Sequence, residues 1–301
     1  MMRHLAISTV ILSAAALPAV PAFAGETCHY VNGTEGIKAA TLPPPGFYWR
    51  SYNVWYTADT ITDSQTDDLP FDFDLEVLAT TQRFLWITDF KLFGADYGVS
   101  AVIPLVSTDL EMKGAGIDDR EFGLGDIAVE PLVLAWHGKR YDLSFGAALY
   151  VPTGEYSPNK PASPGKDQWT GMFTGGATLY LDAEKTWSAS ILARYEIHSA
   201  KREQNIKAGD DFHFEWGVGK TVAEGWDVGV AGYCHWQVND DSGTDVTWDP
   251  TVRDSVFAIG PEVAGFIPQA GLGLSLRVLW EFEAADRSEG IVSTLTLTKA
   301  F

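Results

Sequence analysis

The sequence predicts an all-β fold: a transmembrane, antiparallel, up-and-down β-barrel of about twelve strands that follows a cleaved signal peptide. Three observations lead to this prediction. The chain begins with an export signal, it continues as a long series of alternating strand-length runs, and it ends on an aromatic residue, Phe301, that closes such a run. Successive side chains of a strand point to opposite faces, so a two-residue period indicates a strand with two different surroundings.

Residues 1–24 have the organisation of a secretory signal peptide. Arg3 and His4 precede an apolar run, and Ala22-Phe23-Ala24 forms a small-residue cleavage site. We therefore expect the mature chain to begin at Gly25. No other stretch approaches the roughly 20 apolar residues that a membrane helix needs.

The strand-length runs are long. Most have ten to fifteen residues, enough for a strand to cross a bilayer core, whereas strands of soluble proteins average about 5–6 residues. The twelve runs lie near 47–57, 74–88, 97–107, 122–137, 141–152, 168–181, 187–198, 211–221, 226–238, 254–266, 271–283 and 290–301.

The two faces of the predicted strands differ in chemistry. In the run 187–198, Trp187, Ile191 and Ile197 share one face, whereas Arg194 and Glu196 share the other. A soluble barrel would bury the apolar face, but twelve strands enclose a lumen too wide for side chains to fill, since about eight strands is the packed limit. We therefore expect the apolar face to meet lipid and the polar face to line the lumen.

The connections between the runs alternate between long and short. Short turns face the periplasm in outer-membrane barrels and longer loops face outward. This alternation predicts an outer-membrane location with both the N- and C-termini periplasmic. The last run, 290–301, must then pair with the first to close the barrel, and Phe301 is the expected signal for the barrel-assembly machinery.

Composition excludes some partners and leaves others open. The formal charge of −19 argues against nucleic acid, because phosphate binding needs a basic surface. Cys28 and Cys234 either form a disulfide or remain packed thiols. The acidic loop 58–72 lacks the spacing of an EF-hand, so it reads as a solvated or lipopolysaccharide-bridging surface. No metal ligand and no cofactor is predicted.

The predicted domains are the signal peptide 1–24, an irregular segment 25–46 and the barrel 47–301. The middle segment contains Gly33, Gly36 and Pro43-Pro44-Pro45, which favour neither strand nor helix. Two interpretations stay open. The segment either folds into the lumen and gates it, as a hatch does in fatty-acid-type transporters, or it is a disordered periplasmic lead.

Several motifs carry a family resemblance. They include Leu42-Pro43-Pro44-Pro45-Gly46, Gly123-Leu124-Gly125-Asp126, Val151-Pro152-Thr153-Gly154-Glu155 and Ala258-Ile259-Gly260-Pro261-Glu262. With them the chain resembles the meta-pathway phenol-degradation family of bacterial outer-membrane proteins over nearly its whole mature length. The resemblance implies uptake of hydrophobic, including aromatic, compounds, and it supplies no substrate-binding residues.

The polar face collects the candidate lumen residues. They either brace the barrel by pairing with each other or shape a selective constriction, and the two roles are compatible. The candidates are Arg50, Arg194, Glu196, His213, Glu215, His235, Arg277 and Glu281.

The predicted function is passive passage of small hydrophobic or aromatic solutes through a barrel that is not an enzyme. A general porin is an alternative, although porins with a wide channel usually have 16–18 strands. A structural barrel is another. A lipase- or protease-type barrel enzyme would need a histidine in a catalytic arrangement, with His198 and His213 as the candidates.

Overall fold

The structure, a computed structural model, describes residues 28–70 and 72–301, so the predicted signal peptide lies outside the described residues. The described chain is almost entirely β-structure. Its strands are β1 (Gly46–Ile61), β2 (Phe73–Leu92), β3 (Ala95–Met112), β4 (Ile117–Leu124), β5 (Ile127–His137), β6 (Tyr141–Val151), β7 (Thr170–Tyr180), β8 (Trp187–His198), β9 (Asp211–Ala223), β10 (Trp226–Gln237), β11 (Ser255–Ile267), β12 (Leu272–Ala285) and β13 (Ser288–Ala300).

The strands form one closed antiparallel barrel. Except for β4 and β5, each strand pairs with its sequence neighbours, and β1 closes the ring because Tyr56 lies opposite Val77 of β2 on one side and Val292 of β13 on the other. β4 and β5 both pair with β3 and occupy a single position in the ring. The barrel therefore has twelve strand positions, and the predicted fold class is confirmed.

One predicted strand is broken. The run near 122–137 was expected to be a single strand, but β4 begins at Ile117 and the chain leaves the ladder at Gly125 and Asp126 before β5 begins. The break is held by contacts distant in sequence, since the backbone N–H groups of Gly154 and Lys166 each donate to Asp126 at 2.8 Å.

The outward faces carry the predicted apolar belt. On β8 and β12, for example, Trp187, Ile191 and Trp280 are 43%, 45% and 49% exposed, while the alternate residues Arg194 and Glu196 are buried. The expectation of a polar inner face is wrong for the loop-end part of β1–β4, however. The inward side chains there are also apolar, namely Val54, Tyr56, Phe73, Leu75, Val77, Ala79, Val106, Leu110, Met112 and Ile117, whereas Arg50 and Arg83 line the lumen nearer the turn end.

The two ends of the barrel differ, as the alternation of connections predicted. At one end, here the turn end, the links are short: 93–94, 138–140, 181–186, 224–225 and 268–271. At the other, the loop end, the links include 152–169, 199–210 and 238–254. The first residue of β1 and the last residue of β13 both lie at the turn end. Among the described residues, no helix is long and apolar enough to cross a membrane.

The C-terminus is tied into the wall. The backbone N–H of Phe301 donates to Phe47 O at 3.0 Å, and the two rings lie 5.9 Å apart. The terminal strand thus has a partner on both sides, which removes the open edge that would otherwise favour aggregation. Cys28 and Cys234 are both thiols and are not bonded to each other.

Candidate functional site in the barrel lumen

Residues 28–45 are here called the lumen segment, because most of them lie inside the barrel. Near its start, His29 Nε2 is 2.9 Å from Asp126 Oδ2 at the strand break. Near its end, Thr41 donates to Asp142 at 3.0 Å beside the turn end, and β1 begins a few residues later. The segment therefore runs along the inside of the wall toward the turn end.

Three buried glutamates hold the lumen segment by its backbone. Glu196 of β8 accepts from the N–H of His29 at 2.8 Å, Glu215 of β9 from that of Glu35 at 2.8 Å, and Glu262 of β11 from that of Ile37 at 2.7 Å. A backbone N–H in a buried site must find an acceptor, and a carboxylate makes a stronger hydrogen bond than a neutral oxygen. The three carboxylates thus accept the backbone hydrogen bonds that the carbonyl groups of a neighbouring strand would accept in a sheet.

Further side chains of the wall hold the segment through Glu35, Gly33 and Lys38. Arg50 of β1 and Tyr52 OH both donate to Glu35, at 2.8 and 2.7 Å, and Arg277 of β12 donates to Gly33 O at 3.2 Å. At the turn end, Lys38 forms an ion pair with Asp227 at 2.6 Å.

Gly36 marks the closest approach of the segment to the wall. A Cβ at this position would lie 2.0 Å from Glu262 Oε2 and 2.9 Å from Ala231 Cβ. The opposing wall residue is also a glycine, since a Cβ on Gly217 would lie 2.6 Å from the carbonyl carbon of Gly36. The pair allows two backbones to touch, which explains Gly36 without any demand on its backbone angles.

All eight predicted lumen residues point inward, and most are brought together on β8–β12. Arg194 donates to Glu215 at 2.8 Å, Arg277 to Glu262 at 2.7 Å, and His213 Nε2 lies 3.2 Å from Glu196. The remaining three are placed elsewhere in the same lining: Glu281 accepts from Tyr56 and Tyr233, Arg50 meets Glu35, and His235 faces Asp211 and Asp254. Their role in selectivity stays a prediction.

Sequence reasoning missed Glu35, Glu262 and Asp126. Glu262 interrupts the apolar residues of β11 at an inward position, so the alternation of that strand could have indicated it. Glu35 and Asp126 lie outside regular alternation, and only the folded barrel shows their partners.

A cavity of about 780 Å³ lies between the lumen segment and the wall, mostly on the β1–β6 side, and reaches Met172, Leu192 and Tyr233 on the other strands. It extends from Met112 and Ile117 near the loop end to Leu42 and Val133 in the turn half. Valine and leucine side chains of β1–β3 cover one side. Polar groups line it further along, where Arg83 pairs with Glu130 at 2.7 Å.

The histidines considered for catalysis are engaged inside the barrel. His198 Nε2 lies 2.9 Å from Asp211, and its Nδ1 lies 2.7 Å from Thr170 Oγ1. His198 and His213 are both buried, so neither faces lipid. The geometry offers these rings structural hydrogen bonds rather than access to a lipid substrate.

A closed twelve-position barrel with an apolar outer belt and a segment-filled lumen defines the class of outer-membrane β-barrels. Comparison with solved structures agrees on the fold. The COG4313 outer membrane channel from Pseudomonas putida F1 superimposes with a TM-score of 0.76 at 14% identity, covering 87% of this chain and 97% of that one. The β domain of the Bordetella autotransporter BrkA reaches 0.51 at 13% identity, covering 86% and 100%. Both are similar to this chain in fold alone.

The family described as "Putative MetA-pathway of phenol degradation" matches residues 58–297. The match spans most of the chain, and the chain belongs to this family. No curated protein sequence matches it significantly.

Proposed function

We propose that this protein is an outer-membrane channel for the passive uptake of small hydrophobic, including aromatic, solutes, and that the lumen segment gates it. The observation that carries the proposal is the apolar inner wall of β1–β4. Channels for hydrated solutes have polar interiors, whereas here apolar side chains face both lipid and lumen. The similarity in fold to an outer membrane channel supports the same class of function.

The cavity and its lining suit a small apolar ligand. Ligand sites of soluble proteins have volumes of about 300–1,000 Å³, are mostly apolar and contain a few polar groups; the lumen cavity fits this description. A solute would leave water at the loop end against Met112 and Ile117 and would next meet Arg83 and Glu130. We propose that this pair, together with Arg50 and Glu35, forms the constriction.

The orientation and the partners follow from the same proposal. With the turn end periplasmic, both termini of the barrel are periplasmic and the acidic loop between β1 and β2 faces lipopolysaccharide. Phe301 then lies at the end where the barrel-assembly machinery would engage it. Lys299, on the lipid side near that end, donates to Ala270 O, which suits a long side chain reaching the interface.

Uptake into liposomes tests the proposal. We expect liposomes that contain the purified barrel to take up a monoaromatic solute faster than a sugar. Replacing Val77 and Val106 by Asn would expose the solute to polar groups over about 60 Å² of wall, which at about 25 cal/mol/Å² costs roughly 1.5 kcal/mol, or about tenfold in aromatic uptake. Thr81→Asn, which also lines the cavity, is the matched control. Equal rates for the two solutes in the wild type would reject the hydrophobic-solute proposal and favour a general porin.

Deletion of residues 26–41 tests the gate separately. The truncated chain lacks the contacts to Glu196, Glu215 and Glu262, so we expect a larger single-channel conductance. An unchanged conductance in folded barrels would rule out gating by the segment but would leave the solute preference untouched.

A further inference from the structure

We propose that Asp211, His235 and Asp254 form a binding site for one divalent transition-metal ion of the zinc class. The three residues come from the loop-end termini of neighbouring strands: Asp211 starts β9, His235 lies near the end of β10, and Asp254 directly precedes β11. One ligand atom from each lies within 4.8 Å of the others, and all three side chains are at most 1% exposed.

The spacing of the ligand atoms favours an ion over hydrogen bonds. His235 Nε2 is 3.5 Å from Asp211 Oδ1 and 3.6 Å from Asp254 Oδ2. These separations exceed the 2.7–3.2 Å of an N–H···O hydrogen bond. Two ligands bound at about 2.1 Å in tetrahedral geometry lie about 3.4 Å apart, which is close to the observed spacing.

Unsatisfied polar atoms point to the same place. His235 Nε2 and Asp254 Oδ1 are buried and have no hydrogen-bond partner. Leaving such groups unpaired costs about 1–3 kcal/mol each. Arg287 donates to Asp254 Oδ2 at 3.0 Å and so fixes the carboxylate, and the same oxygen, 3.6 Å from His235 Nε2, is the one offered to the ion. The positive charge of Arg287 also offsets one of the two negative charges, so the site is less negatively charged than two carboxylates alone would be.

The surroundings orient the ligands as outer-shell groups do in zinc sites. His198 Nε2 contacts Asp211 Oδ2 at 2.9 Å, and Asp211 Oδ1 is the oxygen 3.5 Å from His235 Nε2. Asn32 of the lumen segment lies 3.4 Å from His235 Nδ1 through its amide nitrogen, while its own Oδ1 is buried without a partner. The oxygen and nitrogen of an asparagine amide can exchange places without changing the shape of the side chain, so the hydrogen bonds decide which atom lies where. With the amide reversed, His235 Nδ1–H donates to Asn32 Oδ1, and Nε2 presents its lone pair to the metal.

The ligand set indicates which ion fits. One imidazole and two carboxylates suit zinc, cobalt or manganese, whereas calcium prefers six to eight oxygen ligands. The fourth position would be filled by water. Because Asn32 belongs to the lumen segment, the complete site exists only when this segment is docked.

Cobalt(II) binding to the purified, chelator-treated full-length barrel tests the site. We expect one Co²⁺ per chain, displaced by Zn²⁺, with the intense visible absorption of tetrahedral cobalt. His235→Gln and Asp254→Asn should each abolish the absorption, and Asn32→Ala should weaken binding about 10–100-fold. His137→Gln is the matched control, because His137 contacts Asp142 at the turn end, far from the site.

Heat-modifiable migration on gels establishes that each variant is folded. Should His235→Gln fail to fold, X-ray absorption of the wild-type cobalt form gives an independent answer, with one imidazole nitrogen and oxygen ligands expected. Absence of Co²⁺ binding in the wild type, or unchanged binding in folded Asp254→Asn, would overturn the proposal. An all-oxygen coordination shell would do the same.

Discussion

Gly36→Ala is the sharpest test of how the lumen segment is held. The new methyl group would lie 2.0 Å from Glu262 Oε2, a distance that real Cβ atoms do not show. Glu262 cannot move aside freely, because Arg277 and Ser275 hold its other oxygen at 2.7 and 2.8 Å. We therefore expect the segment to shift and to lose the hydrogen bond from Ile37 N to Glu262.

The size of the effect follows from this one contact. A hydrogen bond to a charged group contributes about 1.5–3 kcal/mol. Taking about 2 kcal/mol, the ratio of undocked to docked segment rises roughly 30-fold, since 1.4 kcal/mol corresponds to tenfold. The barrel wall is not altered, so the number of folded barrels should stay the same.

Planar-bilayer recording measures this ratio as the fraction of time spent at high conductance. Gly171→Ala is the matched control, since a Cβ at that wall glycine has no atom within 4 Å. We expect Gly36→Ala to raise the high-conductance fraction and Gly171→Ala to leave it unchanged. Wild-type behaviour of folded Gly36→Ala channels would refute the reasoning that docking at Glu262 closes the lumen.

Two further predictions concern the barrel wall. Phe301→Ala removes the ring that packs 5.9 Å from the ring of Phe47. We expect less heat-modifiable barrel in the outer membrane, while barrels already inserted conduct normally. Normal amounts of folded protein would count against an assembly role for Phe301. At the turn 181–186, hydrogen bonds from Thr186 and from Trp187 N lower the pKa of Asp182 to about 2. This contribution to stability is present above the ordinary aspartate pKa near 3.8 and is lost as the pH falls toward 2. Asp182→Asn should therefore lower the thermal unfolding temperature at pH 6 but not at pH 2, and an equal deficit at both values would contradict it.

The sequence was a good guide to the wall because each strand separates two fixed environments. On β8 and β12 the apolar residues, such as Trp187, Ile191 and Trp280, all lie on the exposed outer face. A two-residue period is therefore enough to orient these strands. The same rule failed on the loop-end part of β1–β4, where both environments are apolar. Alternation disappears there, and residues such as Val77 and Leu78 look alike although one lines the cavity and the other meets lipid.

The lumen segment could not be placed from sequence for a different reason. Its main contacts use backbone N–H groups of His29, Glu35 and Ile37, which every residue except proline possesses. The specificity lies in the wall, where Glu196, Glu215 and Glu262 stand at matching heights on three strands. Only the strand register brings these carboxylates into line. The break at Asp126 is similar, because its partners are at Gly154, Lys166 and His29.

The polar side of the lumen, on β8–β12, and the apolar side, on β1–β4, differ in how they contact the lumen segment. The carboxylates of β8, β9 and β11 are buried beside the segment, and buried charges are stable only when they are paired or hydrogen-bonded. Arg194, Arg277 and the segment's N–H groups supply those bonds, so the polar half has a strong reason to keep the segment. The apolar half makes no comparable demand and leaves the cavity open. In the proposed mechanism, a solute that binds apolar surface moves along β1–β3 once part of the segment has undocked, whereas a hydrated sugar would need the whole segment to leave the lumen. The division of the lumen thus favours small hydrophobic solutes by geometry as well as by chemistry.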